Sequence, residues 1–219
     1  MDIGFIQKYI PMYVEAGILT VRIAFIGIVL SFVVGLFCSL VQYYKVPFLK
    51  RILKSYIDLS RNTPLLIQLF FLYFGLPKLG IKLSSESTAI IGLVFLGGSY
   101  MSEAFRSGLE AIPDSQIEAG LSIGLTKLQV FGYVLLPQAL SISVPAFAAN
   151  TVFLVKETSV FSAVALADLM FVAKDLIGLY YKTDEALLML VMAYLIILLP
   201  ISLAFTLIER RLRYAGFGN

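Results

Sequence analysis

Residues 23–41 and residues 186–208 each run through the chain without a single charge. A stretch of about 20 mostly apolar residues matches the hydrocarbon thickness of a bilayer when it is helical. Three more stretches read the same way: residues 52–76, 88–112 and 128–155. The first of these carries Lys54, Asp58 and Arg61 in its first half, and the second carries Glu103 and Arg106 towards its end. The third is uncharged in spite of Pro137 and Pro145, and Pro200 interrupts the run at 186–208. Of all residues 59% are hydrophobic and 14% charged, against roughly 45–50% and 25% in soluble domains. The excess must face lipid. The expectation is one all-α membrane domain over residues 1–219 with five spans, without internal repeat or linker.

Residues 156–185 form the longest connection. Within it, residues 160–179 are apolar but broken by Asp168, Lys174 and Asp175. A short helix packed on or dipping into the bundle is expected there, not a sixth span. Basic residues in short loops mark the cytoplasmic side. Lys45, Lys50, Arg51 and Lys54 follow the first span, and Arg210, Arg211 and Arg213 follow the last. With five spans both groups lie on one side, so the C-terminus is expected in the cytoplasm and the N-terminus outside. Asp2 is acidic and no small-residue cleavage pattern follows the first run, so that run is expected to stay as a span. There is no histidine and one cysteine, Cys38, so neither an internal disulfide nor a His/Cys metal site is available. A net charge of +3 is too small to argue for nucleic acid.

Between the third and fourth spans lies a short polar segment. Pro113 and Asp114 stop one helix, and Ser115-Gln116-Ile117-Glu118 has the spacing of a capping box. A helix over about residues 114–126 is expected, with Ile117, Leu121 and Leu125 as its apolar stripe. Ala119, Gly120 and Gly124 are small positions that let another surface approach. Each glycine inside a helix costs about 1 kcal/mol relative to alanine. A docked partner is one candidate for what offsets that.

Glu118-Ala119-Gly120, then Gly124, then Val134-Leu135-Leu136-Pro137 resembles the EAA loop of ABC-transporter permeases, with Gly120 and Val134 as mild departures. Arg61-Asn62-Thr63-Pro64 resembles the Arg-Gly-Thr-Pro segment of polar amino-acid uptake permeases. Tyr100-Met101-Ser102-Glu103-Ala104-Phe105-Arg106 is similar to their Tyr-x-x-Glu-x-x-Arg, and Lys156-Glu157-Thr158-Ser159 to their Lys-Asp-Thr-Ser. The resemblance covers roughly residues 55–170. It implies a type I ABC importer fold in a prokaryotic plasma membrane. It also implies two cytoplasmic ATPases that hold ATP and Mg, a second permease subunit, identical or related, and an external amino-acid-binding protein. The loop would be the coupling helix, meeting the ATPase through Glu118, Ala119, Gly120 and Gly124.

An ionisable residue inside a membrane is a functional candidate by default. Glu103 suits an ammonium or guanidinium group, with Ser99 and Tyr100 one turn earlier as hydrogen-bond partners; a pair with Arg106 is the alternative. Asn62 and Thr63 stand beside a proline break and offer polar groups to a ligand, unless the break satisfies itself. Arg61 suits a substrate carboxylate or pairs with Asp58. Glu157, Thr158 and Ser159 line the outer end of a path or cap the next segment. Asp168 is a lone acid in apolar company, with Lys174 or Lys156 as possible ion-pair partners. Convergence of Glu103, Glu157 and Asp168 on one cavity would favour arginine, lysine or histidine; otherwise glutamine is the rival. No Gly-x-x-x-x-Gly-Lys-Ser/Thr phosphate loop occurs, so the chain is read as a transport subunit without its own ATPase or other enzyme activity. An ion-coupled secondary transporter and a membrane scaffold are the competing classes.

Overall fold

The computed structural model describes residues 1–216, with side chains described as far as Arg211; the Arg213 side chain lies outside the described residues. Among the described residues eight helical elements follow one another. They are α1 (Ile3–Tyr43), α2 (Leu49–Arg61), α3 (Leu65–Leu79), α4 (Ser85–Glu110), α5 (Asp114–Ser122), α6 (Lys127–Val164), α7 (Leu169–Tyr180) and α8 (Thr183–Gly216). Four of them, α1, α4, α6 and α8, are long and apolar enough to cross a membrane. The expected second span is two pieces, α2 and α3, separated at residues 62–64. Pro64 has no N–H to donate and holds an extended ψ of 140°, which a continuous helix does not tolerate.

The first helix is longer than its uncharged run. It starts at Ile3, where the Asp2 side chain accepts the Phe5 N–H at 3.0 Å. Exposed Lys8, Glu15 and Arg22 lie on its first half. At about 1.5 Å per residue, its 41 residues extend for roughly 60 Å. Its second half packs along α4. A Cβ on Gly35 would lie 2.5 Å from Met101 Cβ, so the two helices meet nearly backbone to backbone. Small residues at such contacts are how helices associate in lipid, where apolar surface alone gives no drive.

The fourth span carries its own irregularity. A π-helical turn, Phe131–Leu135, precedes Pro137. The Leu136 N–H reaches back to Phe131 O across it, and Gln138 Nε2 donates to Val134 O at 2.7 Å. A wider turn of this kind takes up the register that proline breaks. At the other end, the 3₁₀ turn Thr158–Val164 and a left-handed Ala165 (φ 57°) turn the chain into α7. With 12 residues, α7 is about 18 Å long, too short for a 30 Å core. It lies against the N-terminal ends of α1 and α8, where Tyr9, Tyr13 and Ala16 pack on Leu169, Leu176 and Ala186. Tyr13 donates its hydroxyl to Ala186 O at 2.7 Å. This is the short packed helix the sequence led us to expect.

Candidate functional site

The break between α2 and α3 is closed by its own side chains. Asn62 Nδ2 donates to Asp58 O at 2.7 Å, and Thr63 Oγ1 donates to Leu59 O at 2.8 Å. Gln68, one turn into α3, donates Nε2 to Ser60 O and Thr63 O, both at 3.0 Å. The Asn62 amide and the Thr63 hydroxyl are therefore spent on carbonyls of the last turn of α2, and Gln68 takes Ser60 O, the carbonyl four residues back that Pro64 leaves free. Of the two readings of Asn62 and Thr63, the self-satisfied kink is the one the geometry presents. Gln68 was not singled out in the sequence. A glutamine one turn after an X-Pro break was the available signal.

Next to the break lies a cavity of about 600 Å³. One strip of α2 faces it, with Lys50, Lys54, Asp58 and Arg61; α4 contributes Ser102, Glu103, Arg106 and Glu110. Arg61 Nη1 pairs with Glu103 Oε2, not with Asp58. The Arg61 guanidinium also lies over the Tyr100 ring, 5.1 Å from its centroid. Glu103 Oε1 is 3.7 Å from Arg106 Nη2, and Arg106 in turn reaches Glu110 at 2.7 Å. Arg61, Glu103, Arg106 and Glu110 thus form a self-neutralised chain of alternating charge. Ionised groups within a membrane-spanning bundle pair with one another or line a cavity, and these do both. Glu103 meets the expected Arg106, but more closely Arg61, which the sequence spacing could not connect to it.

The other candidates separate. Ser99 is fully buried, donating to Leu96 O at 2.7 Å and lying 3.0 Å from Ser60 Oγ. The thin stretch at Gly97 and Gly98 is filled by the chain itself: a Cβ on Gly98 would lie 2.6 Å from Val34 and 2.7 Å from the Tyr56 hydroxyl. Thr158 is buried and donates to Val155 O at 2.7 Å, where the α-helical part of α6 gives way to its 3₁₀ turn; Ser159 follows it in that turn. Asp168 caps α7, accepting the Phe171 N–H at 2.8 Å, and its other oxygen is buried without a partner. Burial pushes this carboxyl up to about 7. Neither Lys174 nor Lys156 forms an ion pair with it. The cavity that holds Glu103 is not lined by Glu157 or Asp168. The convergence of three acids that would favour a cationic substrate does not occur there: Asp168 is taken up by a helix terminus and Glu157 lies off the cavity wall.

The segment after α4 differs in detail from its sequence reading. Pro113, not Ser115, stands at the N-cap of α5, and no side chain caps that end. Ser115 falls inside the first turn, where its hydroxyl has no free N–H ahead of it. The capping box sits later, at the start of α6, where Thr126 and Gln129 exchange hydrogen bonds at 2.8 and 3.3 Å. The helix ends at Ser122. Gly124 has φ +86°, its N–H reaches Leu121 O at 3.0 Å, and the Leu125 N–H reaches Gly120 O at 3.2 Å. That is a Schellman terminus, which favours glycine at the left-handed position. Gly124 is thus outside the helix and carries no helix-interior penalty. Gly120 is buried because α6 packs on it: a Cβ there would lie 2.9 Å from Val130 Cγ2. Ile117 and Leu125 pack inward on the same cluster. Glu118 and Ala119 remain exposed, as do Ile123 and Leu128, at 78% and 77%.

Among the described residues no group of three His, Cys, Asp or Glu side chains is placed to hold a metal ion. Residues 7–214 match the family described as binding-protein-dependent transport system inner membrane component. A probable glutamine ABC transporter permease protein of Bacillus subtilis is 37% identical over 172 residues, 78% of this chain and 79% of that one. An L-cystine transport system permease protein of the same organism is 31% identical over 214 residues, 96% and 91% of the two chains. A crystal structure of an amino acid ABC transporter with histidines superposes with a TM-score of 0.89 at 29% identity, over 96% of this chain and 99% of that one. An inward-facing MetNI methionine ABC transporter shares the fold, with a TM-score of 0.80 at 23% identity over 94% and 98%.

Proposed function

The chain belongs to the binding-protein-dependent transport system inner membrane components, as a permease of the polar amino-acid type with the type I ABC importer fold, and from this we propose how it works and what it carries. It spans the membrane as one subunit of an ATP-driven amino-acid importer. Its second half-channel comes from another permease subunit, its energy from two cytoplasmic ATPases that bind ATP and Mg, and its substrate from an external binding protein. The N-terminus lies outside and the C-terminus in the cytoplasm of a prokaryotic plasma membrane. The exposed side of α5, with Glu118, Ala119 and the αL turn at Gly124, is where ATPase movement enters the bundle. Gly120 serves the fold behind it by admitting Val130.

One observation carries the substrate class: the balanced ion-pair chain in the cavity, whose α4 wall ends at Glu110 just before α5 begins at Asp114. A ligand entering between Arg61 and Glu103 keeps that balance only if it brings one positive and one negative group. A zwitterionic amino acid does so: its carboxylate takes Arg61 and its ammonium takes Glu103, with Tyr100 beside them. A polar, uncharged side chain such as that of glutamine adds no further charge. Arginine, lysine and histidine fit less well, since Glu157 and Asp168 stand apart from this cavity. The resemblance between this chain and glutamine and cystine permeases points the same way.

Reconstitution with its ATPase and binding protein tests both halves. Uptake into vesicles is expected to need ATP and to persist when ionophores collapse the ion gradients. Glutamine is expected to outcompete arginine. Gradient-driven uptake without ATP overturns the coupling, and a preference for arginine overturns the substrate class.

A further inference from the structure

The same cavity holds a second charge arrangement that the ion-pair chain leaves untouched. Lys45, Lys50 and Lys54 line it, all three exposed, and none of them forms an ion pair among the described residues. Arg61, Glu103, Arg106 and Glu110 cancel among themselves. Against the three lysines stands Asp58 alone, so the cavity carries an excess of two positive charges. The lysines follow from the local fold. Lys50, Lys54, Asp58 and Arg61 recur at helical spacing along one strip of α2, and Lys45 sits in the turn before it with φ 52°.

A different strip of α2 is apolar and uncovered. Phe48, Ile52 and Leu59 are 79%, 47% and 59% exposed. Ile52 and Leu59, seven residues apart, share a face of α2 distinct from the lysines, and Phe48 stands just before the helix at its N-cap, with φ 63°. The helix stands where α1 ends and the next span begins. A helix with a basic strip beside an apolar strip at a bilayer boundary lies with its apolar face among acyl chains and its cations among headgroups. Basic pockets between membrane helices bind phosphate headgroups by the same electrostatics.

We propose that Lys45, Lys50 and Lys54 form a headgroup site for an anionic phospholipid of the adjoining leaflet, whose acyl chains lie against Phe48, Ile52 and Leu59. The excess of two charges fits a lipid with two phosphates better than one with a single phosphate. The site shares its cavity with the substrate reading but uses none of Arg61, Glu103 or Tyr100, so lipid retention and amino-acid uptake are scored apart.

Native mass spectrometry of the full chain, purified into detergent and given defined lipids, reads the site directly. Cardiolipin is expected to be retained most, phosphatidylglycerol less and phosphatidylcholine least. Each lysine near a charged surface changes retention about fivefold. Lys45→Gln, Lys50→Gln and Lys54→Gln together should lower cardiolipin retention on the order of a hundredfold. Asp58→Asn should raise cardiolipin retention without raising that of phosphatidylcholine, a headgroup-selective gain that misfolding does not give. Lys78→Gln with Lys82→Gln, at the far end of α3, should leave it unchanged. Equal retention of cardiolipin and phosphatidylcholine overturns the proposal, and so does an equal loss in the Lys78/Lys82 variant. Displacement of cardiolipin by millimolar inorganic phosphate would show that the site takes a soluble anion, and would overturn the lipid assignment.

Discussion

Arg61 at the end of α2 and Glu103 in the last third of α4 are ion-paired across the cavity, and the same guanidinium covers the Tyr100 ring. The pair joins the broken helix to the most central one. Glu103→Gln leaves Arg61 and Arg106 without their shared carboxylate. Losing a charge-assisted hydrogen bond of this kind is worth about 1.5–3 kcal/mol. Uptake by the reconstituted complex should therefore fall by roughly 10- to 100-fold. Arg61→Gln in the same chain restores neutrality without restoring recognition, so uptake should stay low. Recovery in the double variant would make the pair a strut and remove it from the substrate path.

Gln68 spans the proline break with two carbonyl contacts at 3.0 Å. Gln68→Leu keeps the volume and loses both. Each net hydrogen bond contributes about 0.5–1.5 kcal/mol. Amide hydrogen exchange across residues 58–66 should speed up while that of α4 stays put. Unchanged exchange would mean that the break is held by packing alone.

Gly120 and Gly124 are both glycine for unrelated reasons, and their variants should behave differently. Gly120→Ala pushes a Cβ against Val130 and should be relieved by Val130→Ala. Gly124→Ala meets nothing within 4 Å. It instead places a side chain at φ +86°, which costs about 1–2 kcal/mol whatever surrounds it. Thermal unfolding in detergent separates them: only the Gly120 variant should recover in the double substitution.

Asp168 gives a pH dependence. Its carboxyl titrates at about 7 in the fold because burial disfavours the charged form, whereas an unfolded chain loses that proton near the usual carboxylate value. Between those two pH values the folded state holds a proton that the unfolded state has lost. Stability therefore declines as pH rises through that window, and the penalty is complete above about 7. Asp168→Asn keeps an oxygen to cap Phe171 and carries no charge. Its melting temperature should exceed that of the parent by several degrees at pH 8 and match it at pH 4. Asp168→Ala loses the cap, about 1 kcal/mol at either pH. An Asn variant no more stable at pH 8 would place a compensating cation beside the carboxylate.

Much of this molecule can be read from its residues. The spans follow from uncharged length, the break from Asn62-Thr63-Pro64, and the short packed helix α7 from charges set into an apolar run. Local spacing found Glu103 and Arg106 as neighbours, because one turn of helix guarantees it. It could not find Arg61 beside Glu103, since that contact depends on how α2 leans on α4. The capping box was misplaced by one helix because Ser115 and Thr126 head equally good patterns. Only the backbone shows that Pro113 had already taken the cap position. Asp168 stands out for its apolar company, but an N-cap oxygen accounts for an aspartate there as well as a ligand does.

The length of α1 has a mechanical consequence. A rod of about 60 Å cannot be hidden in a 30 Å slab by leaning, since that would take a tilt near 60° where membrane helices seldom exceed 40°. Part of it must stand clear as a mast, braced at its tip by Asp2 and Lys182, 3.2 Å apart. Gripped along its second half by α4 and along its first by α7 and α8, such a mast carries small rotations deep in the bilayer to the two helices that flank its tip.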